Sequence, residues 1–194
     1  QKVMLLHRPD LFSVLATRAL SAGARQTIPA DGSKLLEVVR NTSGGRPITL
    51  VKDRRLLDVV SPTWYSMTGV TEIKHYMHDE RDADAFWVYP PAASSGASVD
   101  LLYVQNPTDV AVPADGTTVD DVMGDLSVPD FIAPAVDEWV LFRAYLQDSE
   151  AASPNAQRAM VHARSFADLL GVELNGLLAS APRSAGRAMS PAAQ

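Results

Sequence analysis

Two histidines and four carboxylates crowd one short stretch: His75, His78, Asp79, Glu80, Asp82 and Asp84, with Arg81 among them. Imidazole and carboxylate groups bind zinc and move protons. His75, His78 and Asp79 could therefore centre a metal-dependent hydrolase. The spacing argues against it. Residues 73–78 and 85–91 are rich in aromatic and β-branched side chains and read as strands. Residues three apart in a strand point to opposite faces, so the two imidazoles diverge. A zinc site also wants a ligand from elsewhere, and nothing marks His7 or His162 as that partner. Asp79, Glu80, Asp82 and Asp84 lack the glycine and terminal glutamate of a calcium loop. The expected structure is a β-hairpin with a charged turn around Arg81, its second strand ended by Pro90-Pro91.

Other motifs carry less. Ser43-Gly44-Gly45 lacks the lysine and spacing of a phosphate-cradling loop. No Gly-x-Ser-x-Gly elbow occurs. Asn41-Thr42-Ser43 formally matches a glycosylation acceptor, which means little without a leader sequence. Lys52, Arg54 and Arg55 form a small basic cluster, either a solvated helix start or a contact for a partner chain. Trp64, Trp87 and Trp139, with Tyr65 and Tyr89, are core candidates. Some of them could instead anchor a subunit interface, where aromatics are enriched.

The elements that would position these residues change character along the chain. Residues 12–20, 26–28, 35–41 and 47–51 read as strands. Ser43-Gly44-Gly45 forms the hairpin turn that pairs 35–41 with 47–51. Asp53 caps a short helix over 54–60, with Leu56, Leu57 and Val60 on one side. A strand over 98–105 follows, then a long turn-rich loop over 106–124. Ser127-Val128-Pro129-Asp130 resembles a capping box. Ile132, Val136, Trp139, Phe142 and Leu146 recur at helical spacing. Pro134 either kinks that helix or marks its first turn. Ser153-Pro154 is a good start for a second helix, with Gly171 at its C′ position and Ala156, Met160, Ala163, Phe166 and Leu170 as its buried stripe. The short link over 148–152 makes the pair an antiparallel αα-hairpin.

The chain of 194 residues is 46% hydrophobic and 21% charged, as expected for a globular protein of one domain, or of one domain plus a small appendage. It has no cysteine, which removes disulfides, thiolate zinc sites and cysteine nucleophiles. The formal net charge of −6 is wrong for a free-standing DNA binder. No apolar run is long enough for a membrane helix. Residues 1–8 read as the end of a helix stopped by Pro9, so further residues are expected before Gln1.

One resemblance emerges from the order of segments. It rests on residues 73–91, the strand over 99–105, Val128-Pro129-Asp130, the helix with Leu141-Phe142-Arg143-Ala144-Tyr145, then Asp148-Ser149-Glu150 and Asn155-Ala156-Gln157-Arg158-Ala159. Over roughly residues 1–170 the chain resembles the head–tail adaptors of tailed bacteriophages, also called connector, head completion or tail tubular A-like proteins. The resemblance implies an α+β fold. Residues 1–10 would end an N-terminal bundle helix, 11–126 would be a β-rich insertion with one short helix, and 127–178 an αα-hairpin completing the bundle. Residues 179–194 would be a flexible tail.

The implied function is structural. A ring of about a dozen copies would sit below the portal protein, by a head-to-tail interface that closes on itself. The next tail component, a nozzle or tail tube, would join the other side. Double-stranded DNA would pass through the lumen without specific binding, and no cofactor, metal or membrane is implied. Arg183 and Arg187 are the portal-contact candidates. Trp139, Arg143, Tyr145 and Arg158 are the subunit-interface candidates. Localisation in the virion at the head–tail junction follows, after synthesis in the host cytoplasm. Two rival readings are the hydrolase centred on His75, His78 and Asp79, and a binding module unrelated to phage.

Overall fold

The computed structural model describes residues 1–79, 81–110, 125–147 and 154–180. The fold is α+β. Two compact units divide the chain: Phe12–Thr108, and Gln1–Leu11 together with Asp109–Gln194.

The first unit holds seven strands: β1 (Ser13–Ala19), β2 (Gly23–Thr27), β3 (Gly32–Asn41), β4 (Thr49–Leu50), β5 (His75–His78), β6 (Ala85–Ala92) and β7 (Ser98–Gln105). They make a three-stranded sheet, β1-β7-β3, and a four-stranded sheet, β2-β6-β5-β4. Alternate side chains from the two sheets meet in one core. Val99, Leu101 and Tyr103 come from β7, Leu35 and Val38 from β3, Phe86 and Val88 from β6, and Tyr76 from β5. Buried positions on β3 are Leu35, Val38 and Asn41, three apart rather than two. The pairing with β7 slips three times along this strand, each time setting two residues against one.

Asn41 closes the end of that core. Its Oδ1 accepts from the Ile73 amide at 2.8 Å, and its Nδ2 donates to the Ile73 carbonyl at 2.7 Å. The side chain thus replaces a strand partner for Ile73. A buried amide with these bonds is closed to modification, so the glycosylation reading of Asn41 falls.

Two strand expectations need correction. Residues 47–51 do not form a full hairpin partner for β3. They leave only an Arg40–Pro47 bridge, and then β4 crosses to the other sheet and runs parallel to β5. The double proline does not end β6, which continues to Ala92. Its pairing with β2 jumps from Trp87 to Ala92, so both prolines lie where the ladder asks for no amide donor.

The outer face of the four-stranded sheet is covered locally by α2 (Arg54–Val60) and a single 3₁₀ turn, Trp64–Ser66. Asp53 caps α2, its Oδ1 accepting from the Arg55 amide at 2.9 Å. Trp64, Met77 and Ala24 are buried there, with Leu57, Val51, Trp87 and Tyr89 around them. The indole of Trp64 is fully buried and donates to Asp58 Oδ1 at 2.8 Å. Leu57 is the apolar residue by which α2 docks. Leu56 and Val60, expected on the same side, point away, because Leu57, Asp58 and Arg54 define the inner face.

The second unit is helical in its described parts: α1 (Lys2–His7), α3 (Ala133–Gln147), α4 (Pro154–Leu170) and α5 (Leu174–Ser180). Pro129, and not Ser127, stands at the N-cap position of the turn that follows. Asp130–Ile132 form a 3₁₀ turn, and α3 starts at Ala133 with Pro134 in its first turn, where a missing amide donor is harmless. The buried stripe of α4 is Ala159, Ala163, Phe166, Ala167 and Leu170. Met160, expected inside, is exposed. Small side chains line the contact because α3 comes close, setting Phe142 on Ala159 and Ala163. Gly171 ends α4 at φ +66°, the left-handed conformation that disfavours side chains. Arg8 adds a second tie there, its Nη1 donating to the Leu170 carbonyl at 2.7 Å. The N-cap Ser153, the link over 148–152 and the tail beyond Ser180 lie outside the described residues. The tail was expected from 179, where α5 still runs.

Candidate interaction surface

The histidine strand is where expectation and geometry meet first. On β5, His75 shares a face with Met77, and His78 shares the other with Tyr76. His75 stacks on Tyr89 across the ladder, ring centroids 6.2 Å apart and planes within 18°. His78 Nδ1 lies 3.1 Å from the Ala85 carbonyl, which fixes it as the donor and leaves Nε2 an acceptor in the neutral ring. Neither His75 Nδ1 nor His78 Nε2 has a partner among the described residues. The imidazoles diverge, and no group of three His, Asp or Glu among the described residues could hold a metal. Asp79 serves the turn, its Oδ1 accepting from the Arg81 amide at 3.0 Å. Asp82 pairs with Arg25 at 3.2 Å. Glu80 lies outside the described residues.

That turn contributes instead to a cleft. The parallel crossing of β4 brings residues 52–55 beside the β5–β6 turn. Together Lys52, Asp53, Arg54, Arg55, Met77, His78, Asp79, Arg81 and Trp87 enclose about 500 Å³. The Arg54 guanidinium lies 5.3 Å above the Trp87 ring, and its Nε is 3.9 Å from Asp58. Asp53 is committed to its cap and Asp79 to its turn. Lys52, Arg55 and Arg81 have no carboxylate partner among the described residues. Beside the cleft, α2 turns Leu56, Val59 and Val60 outward, 63%, 79% and 81% exposed. The composite surface is basic on one side and apolar on the other. The basic cluster is visible in the sequence as Lys52, Arg54 and Arg55. Its extension to Arg81 is not, because the crossover of β4 carries no local signal.

In the helical unit, the interface candidates are largely engaged within the unit. Trp139 packs against Phe142 and Phe166, ring centroids 5.1 and 4.9 Å away. Tyr145 stacks on His162 at 5.4 Å with planes 4° apart, and Arg158 sits 5.9 Å over the same tyrosine ring. His162 Nδ1 meets Glu138 Oε2 at 2.8 Å, joining α4 to α3. Arg143 is half-buried on α3. The outward faces of these helices present Val140, Leu141, Met160 and Val161. Arg183 and Arg187 lie outside the described residues.

A family described as SU10 adaptor protein matches the chain over residues 3–193. No curated protein matches it.

Proposed function

Given that the chain belongs to the SU10 adaptor protein family, a family of phage head–tail adaptors, we propose that it is the repeating subunit of a ring between portal and tail. The match over nearly the whole chain carries this reading. The protein is a structural virion component, and its family is not an enzyme class. In the proposed assembly about twelve copies close by a head-to-tail contact. The α3–α4 pair supplies subunit packing, with Arg143 and Arg158 at its edge and the exposed Val140, Leu141, Met160 and Val161 as apolar area. Trp139 and Tyr145 support that surface from within. The segment beyond Ser180, with Arg183 and Arg187, contacts the portal. The β unit faces the next tail component. The net charge of −6 supports a DNA conduit that does not hold phosphates.

Co-purification with the portal protein, followed by negative-stain imaging and limited trypsin digestion, tests this. Rings capping the portal are expected, with cleavage after Arg183 and Arg187 suppressed in the complex. Failure to form rings with portal present overturns the ring. Unchanged cleavage overturns the role of the tail.

A further inference from the structure

Charge is segregated along this chain. From Asp82 to Phe142 there is no lysine or arginine. Within that stretch lies Asp125-Leu126-Ser127-Val128-Pro129-Asp130-Phe131. Ser127 is tied by its amide to Gln1 Oε1 at 2.8 Å, and Ile132 just beyond is buried. Around these anchors Asp125 and Asp130 are exposed, and neither has a cationic partner among the described residues. Leu126 is 43% and Phe131 73% exposed. Exposed phenylalanine beside unpaired aspartate is what a protein contact presents before its partner arrives.

The cleft of the β unit has the complementary chemistry. Lys52, Arg55 and Arg81 offer cations without a carboxylate partner among the described residues, and Leu56, Val59 and Val60 offer apolar area next to them. We propose that residues 125–131 of one copy seat against the cleft and α2 of a second copy. Asp125 and Asp130 then face Lys52, Arg55 and Arg81, while Leu126 and Phe131 cover Leu56, Val59 and Val60. The two patches differ, and every copy carries both, so the contact is heterologous and propagates head to tail. Nucleic acid would use the cations but leave the apolar face of α2 bare, and Asp53 and Asp79 in the cleft would oppose its phosphates. An acidic, apolar segment of a second copy uses both halves. This inference rests on the ring reading above and specifies one of its interfaces.

Carbodiimide cross-linking tests it, because it joins a lysine amine to an adjacent carboxylate without a spacer. Isotope-labelled and unlabelled full-length chains are mixed, assembled with portal protein and cross-linked, and the linked peptides are identified by mass. Lys52 joined to Asp125 or Asp130 in mixed-isotope pairs is the expected result. Arg55→Glu with Arg81→Glu weakens assembly by about tenfold or more, and Asp125→Arg with Asp130→Arg added in the same chain restores it. Links confined to same-isotope pairs overturn the inference, as does assembly indifferent to the arginine changes. If rings form and Lys52 is not linked to this segment, the interface is wrong and the ring stands. If wild-type chain forms no ring with portal present, both fall. If the arginine variant assembles normally but loses retention on duplex DNA, the cleft is a nucleic-acid site and the inference falls.

Discussion

Asp100 is the buried charged side chain among the described residues of the β unit, and it shows what a single residue does for this fold. Its carboxylate accepts from Arg40 Nε at 2.7 Å and from Thr17 Oγ1 at 2.7 Å. It thereby joins side chains from β1, β7 and β3. The Arg40 guanidinium, and then the Thr17 hydroxyl, hold its carboxyl below the usual carboxylate range. A depressed carboxyl contributes stability that is present above its unfolded value, near roughly 4. That contribution is lost as pH falls through the lower folded value. Thermal melts from neutral pH into the acid range should show it. The wild type is expected to melt progressively lower below that point, and Asp100→Asn to melt lower at neutral pH with a shallower acid dependence. Parallel curves for the two proteins would refute this role. Gln26 works in the same way without charge, bonding the Ser21 amide and the carbonyls of Ser21 and Gly23 to shape the β1–β2 turn.

At the scale of elements, periodicity located the helices better than it assigned their faces. The periodicity of α4 points to Met160 as buried, whereas the helix buries Ala159 and Ala167. Helical spacing allows either set, and the neighbour chooses. A helix that packs closely on α3 puts alanines at the contact and lets a flexible methionine face outward. Phe166 is the large residue that α4 itself puts into that seam, 1% exposed and against Trp139. Phe166→Ala should lower stability by roughly 3–5 kcal/mol, by removing buried area and leaving a cavity. Urea unfolding followed by tryptophan fluorescence reads this, and a loss well under 1 kcal/mol would mean that the seam is not packed as described. The strands show the same limit. The Ile73–Pro91 hairpin was legible because aromatic residues alternate around a charged turn. The crossing of β4 into the second sheet was not, because two residues carry no period.

For the whole molecule, net charge makes a prediction that no single residue does. With six more negative than positive formal charges, the free chain is expected to leave duplex DNA unretarded in a gel at physiological salt. A retarded band that disappears with added salt would contradict the conduit reading. The sequence by itself determined the α+β class, the divergence of His75 and His78, the Asp53 cap, the end of α4 at Gly171 and the adaptor resemblance. These depend on local stereochemistry and on the order of segments along the chain. The tertiary structure alone decided which face of each helix is covered, that Asn41 stands in for a strand partner, and that Arg81 joins Lys52, Arg54 and Arg55 around one cleft. Each of those depends on contacts between residues far apart in the chain, and packing and hydrogen-bond completion select among the arrangements that local periodicity leaves equally open.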